Sequence, residues 1–175
     1  ALTQPVPLNV KEIQGSVLDK DTVLLEYALG ERKSFLWVVT STSVDIFELP
    51  PRAEVESAAK QVYELLTARN QNPRKEPASA RAIRVGRADE TFLASAAKVS
   101  AMLLGPAAAR IVDKRLLIVG EGVLQYLPFA ALPEPGLDAA RKDHPSPLMA
   151  AHEIITIPSA SVVALLRRET TGREQ

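Results

Sequence analysis

The chain has 175 residues, of which 46% are hydrophobic and 24% charged, a composition typical of one globular domain with its own core. Its 21 basic and 21 acidic residues cancel, which excludes a surface that attracts nucleic acid or membranes over its whole extent. The absence of cysteine excludes a disulfide framework, a thiolate metal site and a cysteine nucleophile carried by this chain. Only His144 and His152 remain for imidazole chemistry.

The N-terminal residues lack the basic and apolar regions of a signal peptide, and every apolar stretch is far shorter than the ~20 residues of a membrane helix. Alanine is abundant and arginine outnumbers lysine, as in proteins encoded by GC-rich bacterial genes. We therefore expect a cytoplasmic bacterial protein.

Residues 1–20 are predicted to be a connector that contains one short helix, followed by a single α/β domain over 21–175. Three runs rich in β-branched and aromatic residues, at 22–29, 35–40 and 44–49, predict an antiparallel meander. The second run is apolar nearly throughout, which is typical of a central strand covered on both faces. This interpretation places Trp37 in the core.

The third run alternates, and the prediction puts Val44, Ile46 and Leu49 near one face, with Asp45 and Glu48 outside. Farther along, the apolar runs at 115–119 and 153–157 predict two more strands. Helical periodicity predicts helices at 52–69, 90–104 and 160–169. Helices that alternate with strands favour a partly parallel sheet, so the expected fold is a mixed sheet flanked by helices.

Two loops are expected between these elements. Residues 70–89 are polar, contain prolines and carry six basic side chains to one acidic side chain over 69–88, which predicts a mobile basic surface loop. Asp89 is predicted to cap the helix that follows this loop. Residues 133–147 hold four prolines and form a second, Pro-rich loop. The basic loop suits either docking of an acidic partner or plain solvation, and solvation is favoured because aromatic residues are missing.

No set of residues assembles an acid, a base and a nucleophile. Gly120-Glu121-Gly122 lacks the third glycine of a dinucleotide-binding loop and indicates a tight turn. His152-Glu153 lacks a second histidine four residues on, so a zinc-protease helix is not indicated, and His152 is interpreted as a strand-edge residue. His144 is interpreted as a surface-loop residue between prolines.

Two serines near the last helix are interpreted as helix caps. Ser159 and Ser161 lie at the start of this helix, and neither belongs to a G-x-S-x-G elbow that would expose a nucleophile. We therefore assign no catalytic, cofactor-binding or metal-binding residue, and expect no cofactor.

Four segments, in order, resemble the CHAT family of caspase-like domains that usually follow tetratricopeptide repeats in bacterial proteins. Residues 114–133, KRLLIVGEGVLQYLPFAALP, are similar to the family segment "KRLLIVPDGxLxYLPFAALP", with Gly120-Glu121 where Pro-Asp is common. Residues 157–167 resemble "LPSAS…LLR", and residues 21–30 and 35–40 resemble "LLEYxLGxxxSYLWVVT". The resemblance covers about residues 20–168.

The resemblance implies the N-terminal portion of such a domain. The family's catalytic His and Cys belong to "ATHG" and "SACxTG" segments, and neither segment occurs in this sequence. One hypothesis is therefore a non-catalytic fragment of a cysteine peptidase whose partners are the rest of the domain and the upstream repeats. The other hypothesis is a stand-alone interaction or scaffold module without enzymatic activity. A truncated sheet also predicts self-association through an exposed edge, possibly by exchange near residues 133–175.

Overall fold

A computed structural model describes residues 7–71, 76–136 and 146–171, which form a five-stranded mixed sheet with helices on both faces. The strands are β1 (Thr22–Ala28), β2 (Ser34–Val39), β3 (Val44–Leu49), β4 (Arg115–Val119) and β5 (Ile154–Thr156). The helices are α1 (Val10–Ser16), α2 (Arg52–Thr67), α3 (Ala78–Leu103), α4 (Ala108–Ile111) and α5 (Ala160–Thr171). The α/β prediction is confirmed.

The strand order is β3-β2-β1-β4-β5, with β1 in the centre. Antiparallel pairing joins β1 to β2 and β2 to β3, as the predicted meander requires. Parallel pairing joins β1 to β4 and β4 to β5, as the alternation of helices and strands indicated. The prediction that β2 is covered on both faces is wrong: β2 lies between β1 and β3, but Trp37 on one of its faces is 44% exposed.

The first face of the sheet, defined by Val23, Leu25 and Leu36, carries the larger core. Helices α2 and α3 pack on it through a stripe of buried residues, Val55, Ala59, Val62, Ala96, Val99 and Leu103. The turns after β4 add four large buried side chains, Leu124, Leu127, Phe129 and Leu132. Burial of aliphatic and aromatic side chains of this size stabilises the fold by about 1.5–3 kcal/mol each.

The second face of the sheet carries a smaller core under α1 and α5. Val17 and Leu18, at the end of α1, are buried against Leu24 and Val39. Helix α1 starts at a capping box, in which the Asn9 side chain accepts from the Glu12 backbone N–H and the Glu12 carboxylate accepts from the Asn9 N–H. The predicted connector therefore holds a helix that belongs to the domain, as its buried C-terminal residues show.

Strand β3 differs in part from the prediction: Leu49 is buried and Glu48 exposed as expected, but Val44 and Ile46 do not share the face of Leu49. Val44 and Ile46 are exposed, whereas Leu49 is buried on the other face. Alternation with a period of two places Leu49 on the same face as Asp45, not with Ile46. Asp45 forms an ion pair on that inner face with Arg110 of α4, at 3.0 Å.

Helix α3 begins at Ala78, so the predicted loop over 70–89 is wrong for residues 78–89. The sequence from 78 to 103 contains no proline, and alanine and arginine favour helix, which carries α3 across Gly86. Asp89 lies inside the helix, where its side chain pairs with Arg69 instead of capping. No single described helix could span a membrane; only α3 together with the helical residues Gly105–Ile111 meets the length and hydropathy criteria, and that pair is bent by 55°.

The Pro-rich loop is closed at its base. A β-bridge joins Pro133 to Pro147, and the Glu134 N–H donates to the Ser146 carbonyl at 3.1 Å. The Ser100 hydroxyl of α3 donates to the carbonyl of Pro133 at 2.6 Å. Residues 137–145 of this predicted loop lie outside the described residues.

Candidate functional site

The carboxyl ends of β1 and β4 lie side by side, where open α/β sheets usually bind ligands. Glu121 follows β4 and occupies this position. One of its carboxylate oxygens accepts from the backbone N–H of Leu29 at 2.7 Å, and the other accepts from the Arg52 guanidinium at 2.6 Å. The same guanidinium donates to the carbonyl of Leu29. The cluster thereby joins the ends of two strands to the start of α2.

The charges in this cluster are matched. The Leu29 N–H and the Arg52 guanidinium lower the pKa of Glu121 below the usual glutamate range. In turn, the hydrogen bond and charge of Glu121 raise the pKa of Arg52. Both groups therefore stay ionised and hydrogen-bonded at neutral pH. The cluster of Leu29, Arg52 and Glu121, here called the clasp, holds these segments together and offers no free acid or base.

The Gly120–Gly122 segment forms the tight turn that the sequence predicted. A Cβ at Gly120 would approach the Leu124 carbonyl to 2.9 Å, and Gly122 has a φ of +57°, so both positions favour glycine. A four-residue 3-10 turn, Gly122–Gln125, follows instead of an α-helix. The segment lacks a helix N-terminus that could hold a phosphate, and Glu121 would repel one.

His152 lies just before β5 and is buried, with both ring nitrogens near acceptors. Nδ1 is 2.8 Å from the carbonyl of Lys114, and Nε2 is 2.9 Å from Oε1 of Glu134. Because a carbonyl can only accept, Nδ1 donates the hydrogen bond to Lys114. The approach of Nε2 to Glu134 is a close contact without hydrogen-bond geometry, since Oε1 of Glu134 has no hydrogen-bond partner in the described part of the chain. His152 thereby lies between the base of the Pro-rich loop and the start of β4.

The two serines have different roles. The Ser159 hydroxyl accepts from the N–H of Val162 at 3.3 Å and caps α5, as predicted. Ser161 is not a cap, because its hydroxyl accepts from the N–H of Leu8 and ties the N-terminal segment to α5. His144 lies outside the described residues. Among the described residues no group of three or more His, Asp and Glu side chains could hold a metal ion.

The basic segment is partly engaged in internal contacts. Arg84 forms a two-point ion pair with Glu76, and it also donates to the carbonyls of Ala68 and Gln71. Glu76 has its pKa lowered by the hydrogen bonds from Arg84. These contacts fasten the start of α3 to the end of α2, so this arginine stabilises the helical pair. Arg74 and Lys75 of the predicted loop lie outside the described residues.

The candidate binding surface is an apolar area on the second face of the sheet, here called the sheet patch: Phe35, Trp37, Val44 and Ile46. Trp37 is 44% exposed and Ile46 is 61% exposed. The prediction that Trp37 lies in the core is therefore wrong. The sequence did contain a sign that Trp37 is exposed. Glu26 and Glu48 lie in the neighbouring strands on the same face as Trp37, and their charges indicate that this face meets water.

No protein-family model matches the chain, and a search of curated proteins finds no significant match.

Proposed function

We propose that this chain is the N-terminal portion of a CHAT-type, caspase-like cysteine peptidase, and that it is non-catalytic and supports the protease sheet. The observation that carries the proposal is the arrangement of the four family-like segments. Although they are distant in the sequence, they form β1, β2, β4 with its turn, and α5, and three of them are neighbouring strands. Motifs that belong to one domain family are expected to lie together in the folded chain.

The departure from the family pattern at Gly120-Glu121 is compatible with the proposal. The Glu121 carboxylate has a structural partner on each side, the Leu29 N–H and the Arg52 guanidinium. A carboxylate two positions after the strand is common to the family segment "PDG" and to this turn. Its role in joining β1 to α2 therefore suits both sequences.

The edge at β5 offers a place for the rest of such a domain. In the described part of the chain, β5 has three residues and pairs only with β4. Helix α5 follows β5 and packs on the second face of the sheet. A right-handed crossover through α5 would deliver a further parallel strand beside β5.

The test begins with the coding sequence beyond residue 175. Peptide hydrolysis of the caspase kind needs a thiolate and a positioned imidazole, so we expect downstream His-Gly and Cys-containing segments. The extended polypeptide should hydrolyse peptides and lose this activity when the downstream cysteine is replaced by alanine. The chain of 175 residues should not hydrolyse them. A stop codon after Gln175, or hydrolysis by the 175-residue chain, would overturn the proposal.

The second candidate is an interaction or scaffold module, and the sheet patch favours it. Exposed aromatic and aliphatic side chains on one face are typical of protein-binding surfaces. In this proposal the partners include tetratricopeptide repeats of the same protein. A stop codon after Gln175 combined with saturable binding to the sheet patch would support the module.

We also propose self-association of the 175-residue chain through the open edge at β5. An unpaired strand edge presents N–H and C=O groups to another chain. Sedimentation at micromolar concentration should show a dimer. Thr156→Pro should shift the chain to monomer, because Glu153 and Ile157 bond to β4, so the alternate residue Thr156 presents its N–H to the open edge. A monomer before the substitution would contradict edge pairing.

A further inference from the structure

The sheet patch continues a surface that helices cover only in part. The register places Leu24 of β1 opposite Val39 of β2, and both are buried under α1 and α5. One row farther along, Glu26 lies opposite Trp37, which lies opposite Ile46 of β3. Helices α1 and α5 do not extend over this second row, where Trp37 and Ile46 are exposed.

Glu26 gives the sheet patch its charge. Its carboxyl group is half-buried on the same face as Trp37, and its removal from water raises its pKa. In the described part of the chain, no hydrogen bond or ion pair engages this carboxylate. Glu48, at the margin of the patch, is already paired with Lys33 at 2.9 Å. Glu26 is therefore an acidic group on an apolar surface that lacks a cation.

The open surface is a sheet face, and faces and edges bind different structures. A strand adds to an edge, where its backbone can pair, whereas a face is covered by helices or by another sheet. On this face the chain itself uses helices, α1 and α5. β2 has six residues and a length of roughly 20 Å. A helix of about 13 residues has the same length.

A second copy of the chain fits this surface less well. Two sheet patches packed about a two-fold axis would bring two Glu26 carboxylates into one apolar interface. Like charges in such an interface oppose association. A partner that carries a cation has no such penalty and would compensate Glu26.

We infer that the sheet patch binds an amphipathic helix that packs apolar side chains on Trp37 and Ile46 and places a lysine or arginine against Glu26. The inference rests on the interaction role proposed above for the sheet patch, and it holds whether or not the chain continues into a protease. The apolar contacts supply most of the affinity, and the cation supplies selectivity.

Trp37 is the only tryptophan, so its fluorescence reports occupancy of the patch directly. The probes are two synthetic amphipathic helical peptides of about 14 residues. They have identical leucine and alanine faces, and they carry either a lysine or a glutamate at one position beside the apolar face. Titration of the lysine peptide should shift the Trp37 emission to shorter wavelength and saturate. Binding of the glutamate peptide should be weaker by roughly 5-fold, as expected of a partly exposed ion pair.

Variants connect this difference to the proposed contacts. Glu26→Gln should abolish the preference for the lysine peptide, and Glu26→Lys should reverse it. Glu48→Gln is the matched control and should leave the preference unchanged, because Glu48 already has a cation. Ile46→Asp should abolish binding while circular dichroism shows an intact fold, since Ile46 is exposed.

Three results would overturn the inference. The first is absence of a saturable emission shift with the lysine peptide, and the second is an equal affinity for both peptides. The third is a shift of Trp37 emission on dilution without peptide, which would mean that a second copy occupies the patch. None of these results bears on the downstream His and Cys segments, so failure here is distinguishable from failure of the proposed peptidase.

Discussion

The two faces of the sheet are covered by helices and turns to different extents. The first face is closed by α2, α3, α4 and the turns after β4, and its strand side chains are buried in β2, β1 and β4. The second face is closed only where α1 and α5 lie, so that Leu24 is buried while Trp37 is 44% exposed. Hydrophobic side chains in adjacent positions of one strand therefore have different surroundings: Leu36 is fully buried, whereas Trp37 remains accessible to a partner.

The largest expected difference between the faces is in stability. Leu36→Ala removes a fully buried side chain from the first face and should lower the free energy of unfolding by about 2–5 kcal/mol. Trp37→Ala, one residue farther along β2, should lower it by only about 1–2 kcal/mol, because Trp37 is already 44% exposed to water. Urea denaturation of both variants measures the difference. Equal losses would mean that the second face is covered as well.

The next test concerns His152, whose Nδ1 donates to the carbonyl of Lys114 just before β4. His152→Phe keeps a buried ring but removes this donor, and it should lower the free energy of unfolding by about 1–3 kcal/mol. Glu134→Gln is the comparison and should lower it by less than about 0.5 kcal/mol, because the Glu134 oxygen near Nε2 has no hydrogen-bond partner in the described part of the chain. Urea denaturation at neutral pH measures both variants. Equal losses for the two would show that the bond to Lys114 contributes nothing specific.

A smaller effect is expected inside the first core, at Tyr27. Its buried hydroxyl donates to the carbonyl of Leu103, the last residue of α3, at 3.0 Å, and burial raises its pKa far above the usual tyrosine range. Tyr27→Phe keeps the ring contact with Phe129 and removes only this donor. We expect a loss of about 1 kcal/mol. An unchanged melting temperature would contradict the role of this bond at the end of α3.

The smallest effect concerns the clasp at the carboxyl ends of the strands. The pKa of Glu121 is lower in the folded chain, so its contribution to stability is complete above the unfolded-state pKa of about 4.3. This contribution is lost as the pH falls through the folded-state pKa. It is below about 1 kcal/mol, because Arg52 and Glu121 are both more than one-third exposed.

Glu121→Gln tests this clasp through the pH dependence of unfolding. The variant should be slightly less stable at neutral pH, and its stability should fall less steeply between about pH 5 and pH 3 than that of the parent chain. Glu54→Gln is a suitable control, since Glu54 is exposed in the first turn of α2. Identical acid profiles for Glu121→Gln and the parent would exclude the clasp.

The sequence predicted the positions of the five strands and the mixed character of the sheet, because short apolar runs between turn residues carry that information locally. It also predicted the tight turn at Gly120–Gly122 and the cap at Ser159, both of which depend on a few adjacent residues. The beginning of α3 was missed, since prolines at 73 and 77 obscured the alanine- and arginine-rich helix that starts at Ala78.

The candidate binding surface could not be predicted in the same way. Whether Trp37 or Leu36 is buried depends on which face α1 and α5 cover, and that depends on contacts between distant parts of the chain. The same holds for Ser161, whose partner Leu8 is 153 residues away. The pairing of His152 with Glu134 likewise follows from the closure of the Pro-rich loop, which short-range patterns do not encode.

The central claim is that the second face of the sheet is open at Trp37, and collisional quenching of its fluorescence by acrylamide tests this claim most directly. The account predicts long-wavelength emission and quenching at a large fraction of the rate measured for free tryptophan, both in the folded chain. Short-wavelength emission that acrylamide barely quenches in a dilute monomer would contradict it, because Trp37 would then be covered by the chain itself.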